Sequence, residues 1–141
     1  MQPNTNRFTK IGANGEVLPR EATAWEAVLD NTTGLMWAVK AVKVSSQKKA
    51  EAAAKSCTAA GFTDWDLSEV EPLFALADRS KVNPAIDTEF FPDCPSDWFW
   101  TKTLDAESPS DDAWYVYFYS GYSSRSSRSY SGWVRGVRVG Q

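Results

Sequence analysis

The chain has 141 residues, 43% of them hydrophobic, enough for one domain with its own core, and it has no apolar stretch of membrane-spanning length. It contains no histidine, which removes Ser-His-Asp and Cys-His catalysis and the usual zinc sites. Net charge is −3 but unevenly spread: residues 113–141 hold four Arg and no acid, too few for a nucleic-acid footprint but suited to a carboxylate-bearing partner.

In chain order, Met1-Gln2-Pro3-Asn4 offers neither a charged n-region nor an apolar h-region, so no signal peptide is expected. Asn14-Gly15 is a turn signal between Arg7–Ile11 and Glu16–Leu18, predicting a short hairpin. Trp25–Leu29 and Leu35–Val39 flank Asp30-Asn31-Thr32-Thr33-Gly34, predicting a second one. Ser45 or Ser46 then caps a helix from about 47 to 60, whose Ala run favours helix and whose stop is Gly61. Helical spacing puts Cys57 on its buried face. Ser68 and Glu71 have capping-box spacing and predict a second helix from 68 to about 79. Beyond Asn83-Pro84 the chain is loop-rich, and Trp98-Phe99-Trp100 reads as a short strand or core plug.

From Trp114 the pattern has period two. Trp114, Val116 and Phe118 should face inward and Tyr115, Tyr117 and Tyr119 outward. Residues 119–132 then use four residue types only: seven Ser, three Tyr, two Arg and two Gly. This is the composition of a binding surface, in which Tyr supplies rigid contact area and Ser and Gly supply space and hydrogen bonds. Without an aliphatic residue the segment should remain at the surface, between strand Trp114–Ser120 and a last strand Trp133–Val139. Tyr119, Tyr122 and Tyr130 are the expected anchors. Tyr117, Ser120, Ser123, Ser124, Arg125, Ser126, Ser127, Arg128, Ser129 and Ser131 complete the expected ligand-binding set, with the two Arg sharing the exposed face of the Tyr. Tyr, Ser, Arg and Gly are also all reached from the Asn codon AAC by changing its adenines alone. Such a run would arise from copying a template with errors at adenine.

Strands at both ends and two helices between them imply an α+β domain whose termini meet in one sheet. Seven Trp suit the stapling of long loops. Cys57 and Cys94 are compatible with one disulfide or two thiols. Asp105, Glu107, Asp111 and Asp112 are close enough for a calcium loop, but solvated turn acids are the commoner case, and no metal, other cofactor or catalytic residue is expected.

Several segments resemble, in order, the C-terminal domain of Legionella collagen-like proteins. They are Asn6-Arg7-Phe8-Thr9, Leu29–Trp37, Ala59–Leu67, Asn83–Pro92, Trp98–Thr101, Ala113–Val116 and Val134–Arg138. Two positions depart from that pattern: Asp66-Leu67-Ser68 stands where Arg-Leu-Pro is usual, and Gly136 stands where Cys is common. The resemblance implies a C-type-lectin-like fold, with two helices packed on a small antiparallel sheet and long Trp-stapled loops, filling 1–141 as one domain. It also implies kinship with variable proteins of diversity-generating retroelements, whose variable region would here span about 115–133. The expected function is then recognition of a protein or glycan ligand, without catalysis, nucleic acid or membrane insertion. A carbohydrate-binding domain without diversification is the alternative. The ligand of a diversified surface is not a family property, so the sequence names none.

Overall fold

The computed structural model describes residues 7–140. The first four residues, on which the expectation of no signal peptide rests, lie outside them. Among the described residues, nine strands form two sheets. The first holds β1 (Phe8–Ile11), β2 (Ala27–Asp30), β3 (Leu35–Ala38) and β9 (Val137–Val139) in that order, all antiparallel. The second has the order β4 (Val42–Val44), β8 (Gly132–Val134), β5 (Trp98–Leu104), β6 (Asp112–Tyr117), β7 (Tyr122–Ser127). Its β5–β8 pair is parallel, where one antiparallel sheet was expected. The fold is thus α+β, and the first and last described strands, β1 and β9, share the first sheet but lie at its opposite edges rather than meeting.

The β2–β3 hairpin forms at its predicted turn. The Asp30 carboxylate accepts from the Thr32 N–H at 3.0 Å and pairs with Arg7 at 3.0 Å, while Gly34 supplies the positive φ of 78°. The Asn14-Gly15 turn also forms, but on that edge of β1 Val17 makes only an isolated bridge to Ile11, while β2 pairs along the whole of the other edge.

Both helices are shorter than predicted. A 3-10 turn at Gln47–Lys49 leads into α1 (Ala50–Lys55), and neither uses a side-chain cap. The Ala run then leaves the helix because tertiary partners take its backbone groups. Glu26 accepts the Ala60 N–H at 2.7 Å, the Trp65 indole donates to the Ala59 carbonyl at 3.1 Å, and Ala60 itself has φ 57°. Cys57 is consequently half-buried beyond the helix end rather than on its buried face. The second helix, α2 (Val70–Phe74), begins without the predicted capping box. Thr103 of β5 accepts the Val70 N–H at 2.9 Å and donates to Glu69 at 2.6 Å, leaving the buried Ser68 hydroxyl without a partner. Arg7 takes the Ala75 carbonyl at 2.9 Å, just past the helix end.

The two helices cover opposite faces of the second sheet. Val70 and Leu73 of α2 join Phe99, Val116 and Phe118 in the main core, which the loop residues Ile86, Phe90 and Phe91 extend toward Phe8, Val28 and Trp37. Ala50 and Ala54 of α1 cover Trp100, Ala113 and Tyr115 on the other face. Indoles do staple the loops. Trp25 donates to the Phe90 carbonyl at 2.9 Å and Trp100 to that of Tyr130 at 3.2 Å, besides the Trp65 bond. Such bonds leave the large ring buried while its one polar atom is satisfied.

Candidate binding face

Residues 119–132 are not a loop. They form the turn 118–121, the edge strand β7 and the connection to β8. Serine carries no period-two apolar signal, but a neighbouring strand supplies the ladder. β6 pairs with β7 from Asp112↔Ser127 to Tyr117↔Tyr122. The tip folds inward, because Phe118 is fully buried and its carbonyl and that of Tyr119 accept from Ala85 and Asn83. Gly121, buried with φ 84°, makes this approach possible: an added Cβ would sit 2.8 Å from Arg79 Cγ.

Strand alternation sorts the expected site residues by face. On one face lie Tyr115 and Tyr117 of β6, opposite Ser124 and Tyr122 of β7, with Ser126 opposite Ala113. Trp98 and Trp100 of β5 join them opposite Tyr117 and Tyr115. This face is continuous from core to solvent. Tyr115, expected outside, is buried and stacks on Trp98 at 4.1 Å, because α1 and Trp100 cover its end of the sheet. Burial pushes its hydroxyl above the ordinary phenol value. Tyr117 is half-buried, with Tyr119 stacked at 5.9 Å and Tyr122 edge-on at 5.3 Å. Tyr130 reaches the same group through Trp98 at 6.1 Å. The three expected anchors are exposed at 44% (Tyr119), 43% (Tyr122) and 54% (Tyr130), so they project from an aromatic floor without filling it.

Gly132 sets how closely β8 approaches that floor. A Cβ there would lie 2.7 Å from the Trp100 indole nitrogen.

The arginines do not share this face, as had been expected. Arg125 lies across from Trp114 on the opposite side of the sheet, over its ring at 5.3 Å, and pairs with the nearly buried Asp105 at 3.1 Å. Ser123 and Ser127 share its side by alternation. Trp114 is only half-buried, unlike Val116 and Phe118. Arg128, past the strand end, donates through Nε to Gln47 Oε1 at 2.7 Å. Ser120, Ser129 and Ser131 are exposed, with the Ser129 and Ser127 hydroxyls 2.8 Å apart.

The basic C-terminal segment is therefore mostly spent inside the molecule. Arg138 pairs with Asp64 at 2.6 Å and holds that carboxyl below its usual range. Arg135 is buried, donating to the Ala38 and Val39 carbonyls at 2.7 and 2.6 Å and lying over Phe91 at 4.8 Å. Asp105 is committed to Arg125 and to the Glu107 N–H, and among the described residues no three acidic or thiol side chains gather as a metal site. Cys57 and Cys94 are free thiols, and no helix among the described residues is long and apolar enough to cross a membrane.

Trp98 and Tyr115 belong to the floor of the face but were not among the expected contact residues. The i, i+2 spacing of Trp98 and Trp100 was the available signal, placing both rings on one side of a strand. Gln47 carried none, since its role depends on a residue 81 positions away.

The family model of the Lcl C-terminal domain, the domain that ends Legionella collagen-like proteins, matches residues 26–138. The chain belongs to that family. No curated protein matches it.

Proposed function

From this membership and the geometry of β5–β7, we propose that the domain is a non-catalytic binding module. It recognises a protein or glycan ligand through Tyr117, Tyr119, Tyr122 and Tyr130. The observation that carries the reading is the exposure of three tyrosines at 43–54% over neighbours already packed by Trp98 and Tyr115. Rings supported from below lose little freedom on contact, so more of the contact energy is kept as affinity. The surrounding serines leave room for the target and offer hydroxyls at its polar atoms.

We further read the scaffold as C-type-lectin-like and residues 119–132 as diversified by a retroelement. An edge strand and its flanking turns suit that process, since most substitutions there change the surface and spare the core. Two independent experiments test the proposal. The DNA around the gene is expected to hold a repeat of codons 114–138 differing only at adenines, beside a reverse-transcriptase gene. Without the repeat, the diversification is wrong and the binding reading stands. Arrays of glycans and of surface proteins are then probed with the native domain and with a Tyr119→Ala/Tyr122→Ala/Tyr130→Ala variant. The variant should lose the retained ligand at unchanged melting temperature. A ligand retained equally by both sinks the tyrosine face, and retention of glycans only in calcium supports an undiversified lectin-like domain instead.

A further inference from the structure

Past the end of β7, where the turn at Gln47–Lys49 meets Arg128, lies a cleft of about 480 Å³ lined by Ser46, Lys48, Ser110, Asp111, Ser127, Arg128 and Ser129. Its best-positioned group is the Arg128 guanidinium. Gln47 is buried, and its amide orientation is fixed because Nε2 donates to the Thr101 carbonyl at 2.9 Å. Its Oε1 therefore faces Arg128 Nε, and its backbone N–H donates to the Arg128 carbonyl at 2.9 Å. Arg128 Nη1 makes one long bond of 3.4 Å to the Pro109 carbonyl, and Nη2 makes none among the described residues. Among the described residues no carboxylate lies within ion-pair distance of Arg128, whereas Arg125 and Arg138 each have one. The guanidinium is thus held in place with an open end. Two cations and one acid line the cleft, which leaves a single positive charge to be matched.

We propose that this cleft is a subsite for one carboxylate, presented by an Asp or Glu side chain of a protein target bound at the tyrosine face. The open end of a fixed guanidinium offers two parallel N–H donors, the geometry that a planar carboxylate accepts. The single unmatched charge suits a monoanion better than a phosphate dianion. The short Ser side chains leave room for an incoming side chain, and their hydroxyls supply further donors. A Tyr- and Ser-rich surface with an Arg at its edge is the chemistry of protein-recognising paratopes, which favours a peptide over a glycan source. The assignment rests on the binding reading above for its partner, but the subsite itself is testable without one.

The isotope-labelled domain is titrated with sodium acetate, sodium sulfate, sodium glucuronate and a short Glu-containing peptide, each against sodium chloride at equal ionic strength. The Arg128 Nε–H signal and the Ser127, Ser129 and Lys48 amides report. Acetate and peptide should give saturable shifts on these signals, the peptide binding more tightly than glucuronate. Arg128→Gln should weaken acetate binding about tenfold or more, the worth of a charged hydrogen bond. Arg128→Lys, which keeps the charge and loses the fork, should bind acetate no better than sulfate. The triple Tyr variant should bind acetate normally, so loss of the tyrosine reading and loss of the subsite are separate results. Absence of saturable shifts, equal response to sulfate in the native domain, or unchanged binding in both Arg128 variants overturns the subsite. Tighter binding of glucuronate than of the peptide overturns the protein source.

Discussion

Single side chains divide here into those that hold the face and those that project from it, and substitution should separate them. Trp100 is fully buried, so Trp100→Ala is expected to cost about 3–5 kcal/mol. Tyr122→Ala removes an exposed ring and should stay within about 1 kcal/mol. Gly132→Ala would force a methyl against the Trp100 indole and the Trp98 carbonyl, an overpacking expected to cost about 1–3 kcal/mol. Chemical denaturation of the three variants checks the order. Equal losses for Trp100 and Tyr122 would mean the exposed rings are structural. Cys94 adds a pH effect. Burial pushes its thiol up, against the pull of Arg135 Nη2 3.4 Å from the sulfur. The unfolded chain then releases the thiol proton at a lower pH than the folded one. Stability is therefore full below the ordinary thiol value of about 8.5 and falls as pH rises through it. Unfolding midpoints measured from neutral to alkaline pH should fall less steeply in Cys94→Ala.

The β6–β7 hairpin shows at the scale of elements why part of the site was legible and part was not. Alternation of Val116 and Phe118 with Tyr117 and Tyr119 was readable because apolar and polar residues differ at each step. The same alternation continues through Ser123 to Ser127, but small polar residues around Arg125 hide it, so no strand was read there. That error placed Arg125 on the tyrosine face, when one step of pleat puts it over Trp114 on the other. Helix ends failed for a different reason. Thr103, distant in sequence, takes the Val70 N–H in place of the predicted Ser68 cap, and Glu26, equally distant, takes the Ala60 N–H that a longer first helix would have bonded internally. The turn offers a sharp contrast within two residues. Ser120 is exposed, and Ser120→Asn should move stability by no more than about 0.5 kcal/mol. Gly121→Ala combines a positive φ with a clash on Arg79 and should cost more than about 1 kcal/mol. Thermal unfolding of the pair decides it, and equal tolerance would mean the tip does not dock on the loop at Asn83–Ala85.

Across the whole molecule, the last nine described residues tie the two sheets together. β8 lies in the second sheet between β4 and β5, β9 closes the edge of the first beside β3, and only Arg135 and Gly136 separate them. Gly136 packs closely enough that its Cβ would lie 3.4 Å from the Trp65 ring, and its carbonyl accepts the Ala38 N–H at 3.0 Å. Arg135 spans the junction, bonding the carbonyls of Ala38 and Val39 at the end of β3 while lying over Phe91 and Phe99 of the main core. A buried guanidinium without a carboxylate is costly to maintain, and its return is a donor for each of these two carbonyls. Neither sheet should therefore unfold alone. Arg135→Ala leaves both carbonyls without this donor, at about 1–3 kcal/mol each, and opens a cavity beside Phe91 and Phe99. Native-state hydrogen exchange is expected to show the amides of Met36 and of Val116, one from each sheet, losing protection together and by similar factors in this variant. Two separate transitions, with the first sheet loosening while Val116 keeps its protection, would show that the sheets are independent units and that the tyrosine face rests on the second sheet alone.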